Sequence, residues 1–190
     1  MSGKVLTQME SLLGLTDVRH GFSSRDFGGA CVSRDPADWG DVVSAIHPKW
    51  RPENVARMEQ VHGGQVVEIL EAGGVGRDTV TADGMVTTCP NILLAVKVAD
   101  CIPILCAAPG AVGVVHAGWR GVAQDIAVKG IEKLCLVADC TPSAVRVVMG
   151  PHICGRCYTV GEEVVTAIQA TGVAIDKFCS RHEGTVRVDL

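Results

Sequence analysis

The sequence predicts a mixed α/β domain, of the α+β or α/β kind, with strands stacked in layers and covered on both faces. Three observations carry this. Short β-branched runs recur from Gln65 to Met149; a helical period sets in after Trp119; and the strand-length runs are largely apolar instead of alternating, so each side of the sheet needs cover. With 47% hydrophobic and 20% charged residues, 190 residues suffice for one core, so a single domain over 1–190 is expected.

The elements follow in order. Residues 1–60 are broken by Gly, Pro and Trp, as in GFSSRDFGGACVSRDPADWG, and read as loop with short strands. Gln65–Leu70 (QVVEIL) reads as a strand, the Gly-rich stretch Glu71–Thr81 as a surface loop, and Met85–Thr87 as a short strand. Ile92–Val98, Ile102–Cys106 and Ala111–His116 are strands by composition. Pro103 must sit at a strand start, an edge or a bulge, because it has no N–H for the ladder. From Trp119 to Val137 the period changes: Val122, Ile126, Gly130 and Leu134 share one face and Lys129, Glu132 and Lys133 another, which predicts an amphipathic helix of about five turns. Val145–Met149 returns to strand, Glu162–Ala170 is a second helix, and Thr185–Leu190 is strand-like.

Composition excludes several function classes. The net charge of −4 and the lack of a basic run argue against a nucleic-acid partner. No apolar run reaches the roughly 18 residues of a membrane span, and the N-terminus has no long apolar stretch of the signal-peptide kind, so a cytoplasmic protein is expected. Nine cysteines are an odd number in a chain large enough to do without disulfides. Cys31, Cys89, Cys106, Cys135, Cys140 and Cys179 are expected to be small core hydrophobes.

Chemistry concentrates in VADCIPILCAAPGAVGVVHAGWRG, residues 98–121. Cys101 and His116 lie at the ends of apolar strands, where side chains leave the core with fixed geometry. Two readings compete. In one, Cys101 is a nucleophile and His116 its base, with Asp100 or Gln60 orienting the imidazole. In the other, both are metal ligands and His62, in EQVHGG, completes a set that suits zinc and leaves a fourth position open for water; copper also takes such ligands. Arg120, expected at the start of the long helix, forms an anion seat with that helix N-terminus. The HICGRC stretch at 152–157 contains a CxxC, but a zinc ribbon needs a second such pair and a thioredoxin-like site needs it early in a βαβ unit. Cys154 and Cys157 are therefore expected to be structural.

Taken together, GFSSR at 21–25, QVHG at 60–63, ADGMVT at 82–87, ADCIP at 99–103, HAGWRG at 116–121 and GPHICGRCYTV at 150–160 resemble the laccase-domain family. That family is also called multicopper polyphenol oxidase-like and is now described as zinc-containing purine nucleoside phosphorylases. The resemblance implies a layered α/β/β/α sandwich with mixed sheets and a zinc site made by His62, Cys101 and His116, with copper as the older assignment. It implies phosphorolysis of adenosine, inosine, guanosine and methylthioadenosine, with adenosine deamination as a side activity and nucleoside and phosphate as small-molecule partners. Arg25, Gln60, Asp83 and Arg120 then become candidates for binding substrate or phosphate, and Asp100 for carrying a proton alongside Cys101 and His116. A role in peptidoglycan editing is associated with bacterial members. Members usually continue beyond the Asp-Leu at which this sequence stops, with a Cys-Thr pair and a Ser-x-Arg-Arg segment near the site. The alternatives carried alongside are a metal-independent Cys-His hydrolase or amidase, an inactive metal-binding relic, and a copper-dependent polyphenol oxidase.

Overall fold

The computed structural model describes residues 6–9, 12, 15, 17–24, 27, 36–73 and 80–190. In chain order it contains α1 (Gly40–Ile46), β1 (Val55–Ala56), β2 (Met58–Glu59), β3 (Val66–Glu68), β4 (Val80–Thr81), β5 (Gly84–Thr87), β6 (Leu93–Leu94), β7 (Ile102–Ala108), β8 (Ala111–Ala117), α2 (Trp119–Val122), α3 (Ile126–Ala138), β9 (Arg146–Met149), β10 (Thr159–Val160), α4 (Glu162–Gln169), β11 (Cys179–His182) and β12 (Thr185–Val188). The main sheet has the order β3-β5-β8-β7-β9, parallel between β3 and β5 and antiparallel elsewhere. An antiparallel sheet β10-β12-β11 and the parallel pairs β1–β6 and β2–β4 complete the strands. This is the mixed α/β class the sequence predicts.

Cover on both faces of the main sheet is also found. On one side Val115 and Ala117 of β8 pack with Ile102, Ile104 and Ile126, and Val86 and Cys106 pack with Leu134 of α3. The helix comes close because residue 130 is glycine: a Cβ there would stand 2.7 Å from Val115 Cγ2. On the other side Met85 and Val114 pack with Ala56, Met58, Ile69 and Leu94. Burial pushes the Cys106 thiol up to about 12, so it behaves as the inert core hydrophobe expected. Cys89, Cys135, Cys140 and Cys179 are half-buried, and Cys31 lies outside the described residues.

Several expectations need correction. The long helix over 119–137 is two helices, because Asp125 takes a left-handed conformation (φ 57°) between α2 and α3. The apolar face continues across that break at i, i+4 spacing, which hides it from periodicity. Ile92–Val98 contributes only Leu93–Leu94 as strand. Residues 1–60 hold α1 beyond loop and short strands, and β11 forms over a polar stretch (CSRH) whose only strand signal is its pairing with β12. Pro103 is the second residue of β7, before the pairing with β9 begins at Ile104, so no ladder bond to that neighbour is lost. No helix among the described residues is long and apolar enough to cross a membrane.

Candidate metal centre

The antiparallel β7–β8 pair builds the site. Its register sets Ile102 opposite Ala117 and Pro103 opposite His116, so Cys101, one residue before β7, and His116, near the end of β8, leave the sheet at the same edge. The loop after β2 brings His62 to them. One ligand atom each from His62, Cys101 and His116 lies within 4.8 Å of the others, the only such group found among the described residues. The two imidazoles meet edge to face with centroids 4.6 Å apart. Two imidazoles and a thiolate are a borderline-soft donor set. Such a set suits zinc, which takes imidazole nitrogen and thiolate sulfur together.

One carboxylate arranges both histidines. Asp83, at the turn into β5, is completely buried. It accepts the backbone N–H groups of Val61 (3.2 Å), His62 (2.9 Å) and Gly63 (2.6 Å). Its Oδ1 also lies 2.8 Å from His116 Nδ1. With backbone donors crowding the carboxylate, the proton of that contact belongs on His116 Nδ1, which leaves Nε2 free as a ligand. The same backbone bonds hold His62 at φ 59°, a left-handed conformation that a non-glycine residue adopts at a cost. Asp83, a candidate substrate contact from the sequence, is thus buried and spent on contacts that position two of the candidate ligands.

Gly118 caps α2 at the same point. A Cβ there would stand 3.0 Å from Cys101 Sγ and 3.1 Å from His62 Cδ2, so any larger residue would crowd both candidate ligands. Gln60 commits both ends of its amide to Lys97, donating to the carbonyl and accepting the N–H, each at 2.8 Å. It fastens the His62 loop to the segment leading into Cys101.

Burial first, then the acidic Asp100 and Asp83, push the Cys101 thiol up. A cysteine nucleophile is normally set among cations or helix N-termini. Acidic surroundings instead favour bringing a cation to the thiolate. Asp100 is exposed beside it. Arg120 is also exposed, its guanidinium 4.3 Å from the centre of the Trp119 ring. It sits in a helix of four residues and not at the head of the long one, so the helix-dipole part of the expected anion seat is lost and the guanidinium remains. Arg25 lies outside the described residues.

Tyr158 is the residue the sequence reading missed. Burial, then the negative charges of Cys101 and Asp100, push its phenol up, while Arg120 pulls it down. It thus shares its surroundings with all three. Its signal was available, since it is the only tyrosine in a chain with 4% aromatic residues. A cavity of about 650 Å³ lined by Leu105, Val112, Val114, His47 and Trp50 lies across the main sheet from α3 and includes none of the three candidate ligands.

Comparison with known proteins gives the family. Residues 19–190 match the family model described as multi-copper polyphenol oxidoreductase laccase. A purine nucleoside phosphorylase of Deinococcus radiodurans is 36% identical over 140 residues, covering 73% of this chain and 52% of that protein. Purine nucleoside phosphorylase ORF3 of Streptomyces griseus is 33% identical over 183 residues, covering 92% of this chain and 73% of its own. Adenosine deaminase RL5, from an unknown prokaryotic organism, is 36% identical over 110 residues, 57% of this chain and 42% of that one. The crystal structure of YlmD from Geobacillus stearothermophilus superposes with a TM-score of 0.76 at 25% identity, covering 98% of this chain and 80% of that one. The chain thus spans about half the length of several of these relatives. With a family model matching from Arg19 to Leu190, the chain belongs to the multi-copper polyphenol oxidoreductase laccase family.

Proposed function

We propose that the chain is a zinc-dependent purine nucleoside phosphorylase acting on adenosine, inosine, guanosine and methylthioadenosine, with adenosine deamination as a side activity. Its partners are then small molecules, a nucleoside and inorganic phosphate, with no nucleic acid or membrane involved, and its compartment is the cytoplasm. The observation that carries this reading is the convergence of His62, Cys101 and His116 with one buried carboxylate behind both histidines. The substrate class comes from relatives named purine nucleoside phosphorylase and adenosine deaminase. A multicopper centre is disfavoured because the chain has six histidines and only two of them converge with a cysteine.

A cation held by these three residues supplies Lewis acidity at the strand ends. The remaining work falls to the chain. Phosphorolysis joins a phosphate oxygen to ribose C1′ while the glycosidic electron pair leaves with the base, which takes up a proton. Arg120, exposed at the rim, is the group to hold the phosphate dianion. Asp100, exposed next to Cys101, then relays the proton, and Tyr158, whose phenol feels the charges of Cys101, Arg120 and Asp100, is a further candidate contact for the substrate.

The test is to load the protein with zinc, supply adenosine and phosphate, and separate the products. Adenine with ribose 1-phosphate, and inosine as a minor product, are expected, lost on chelation and in His62→Ala. A loaded, folded protein that makes none of these overturns the reading and leaves a metal-binding relic. Turnover that survives metal removal but not Cys101→Ala would favour the Cys-His hydrolase.

A further inference from the structure

The paired cysteines of the 150–158 turn are not among the three converging side chains. Cys154 and Cys157 are the only exposed cysteines among the described residues. The Cys157 and Tyr158 N–H groups both donate to the Cys154 carbonyl, at 2.9 and 3.1 Å. A turn closed in this way holds its first and fourth Cα atoms within about 7 Å, and a disulfide asks for about 4.4–6.8 Å. Both thiols are exposed on this turn, and the electrostatics of each is set first by the other. We propose that Cys154 and Cys157 are a thiol–disulfide exchange site, a reversible couple whose reaction partner is a low-molecular-weight disulfide.

The surroundings assign the roles. The hydrogen bond from Cys157 first, then the backbone N–H groups of Arg156 and Cys157, draw the Cys154 thiol below its ordinary range, and the Arg156 guanidinium adds to this. The bond to Cys154 pushes Cys157 the other way. The directions of the two shifts accord with Cys154 as the attacking sulfur and Cys157 as the resolving one. By contrast, Cys135 and Cys140 are both half-buried and the Cys135 thiol is raised, so that pair lacks an accessible thiolate.

The exchange balances. The Cys154 thiolate attacks one sulfur of the small disulfide RSSR, forming Cys154–S–S–R, and the departing RS⁻ takes a proton. Cys157 gives its proton to solvent and attacks the Cys154 sulfur, closing the protein disulfide and releasing the second RS⁻, which is protonated in turn. The two protein thiols lose two electrons and two protons, and RSSR gains both to become two RSH. The turn also touches the metal centre's neighbourhood, since the Ile153 N–H donates to the Asp100 carbonyl at 3.0 Å.

The experiment uses the full chain, reduced and then exposed to glutathione disulfide, with intact mass and peptide mapping as readouts. Expected are the loss of two hydrogens per chain, a Cys154–Cys157 cross-link, and reversal by dithiothreitol. Cys157→Ser should accumulate a mixed disulfide on Cys154. Cys154→Ser should slow the reaction by about tenfold or more, as expected when the low-pKa thiol is removed. If the wild-type protein keeps both cysteines open to alkylation after treatment, or forms its cross-link elsewhere, the proposal is wrong, and that map decides without any variant. Cys154→Ser reacting at the wild-type rate would overturn it as well.

Discussion

Cys101 and Cys154 are one residue type set in opposite surroundings, on backbone segments joined by the Ile153–Asp100 hydrogen bond. Cys101 is half-buried beside two carboxylates, with two imidazoles in ligand range, and its thiol is pushed up. Cys154 is exposed, receives N–H donors and an arginine, and its thiol is drawn down. The first environment suits a cation that replaces the proton; the second suits a free thiolate that reacts. The residue type names the chemistries on offer, and the neighbours choose between them.

The comparison breaks most severely at the ligands themselves. Cys101→Ala should remove stoichiometric zinc binding while the Cys154–Cys157 exchange continues; elemental analysis and thiol mapping on one sample read both. Next comes Asp83→Asn. An amide has one acceptor where the carboxylate has two, so it cannot serve three backbone donors and His116 together. Zinc affinity should fall about 10–100-fold, as for other partners behind metal-bound histidines, with competition against a chromogenic chelator as the measurement. Gly118→Ala sets a methyl 3.0 Å from Cys101 Sγ. The crowding is expected to cost about 1–3 kcal/mol, seen as weaker zinc binding with the Cys154 exchange rate unchanged.

The smallest effect is a shift along the pH axis. In metal-free protein, alkylation of a thiol rises with pH until its pKa is passed. Across the alkaline range in which thiols ionise, the Cys154 rate should therefore level off before the Cys101 rate does, because one pKa is lowered and the other raised. Peptide-resolved iodoacetamide rates across that range check the order. The reverse order would undo the contrast between the two sulfurs.

Much of this was legible in the sequence where the signal is local. Strands β7 and β8 are apolar, β-branched runs, and their ends carry Cys101 and His116. Helix α4 and the strand before the C-terminal residue pair follow from composition in the same way. His62 was weak alone and became a ligand candidate only through the combined motifs. The role of Asp83 was not legible, because it is separated from His116 by 33 residues and serves it only after β5 pairs with β8. Gln60 reaches Lys97 across 37 residues for the same reason.

The sequence by itself determined the mixed α/β class, the strand ends that bear the sulfur and imidazole, and the presence of a paired-cysteine turn, since each depends on side-chain periodicity or spacing within a few residues. The tertiary structure decided which carboxylate stands behind the histidines, that the helix breaks at Asp125, and that Tyr158 joins Cys101, Asp100 and Arg120. It also decided that Cys101 sits among acids and Cys154 among donors. These are contacts between segments far apart in the chain, and their charges and hydrogen bonds exist only once the sheet register brings them together.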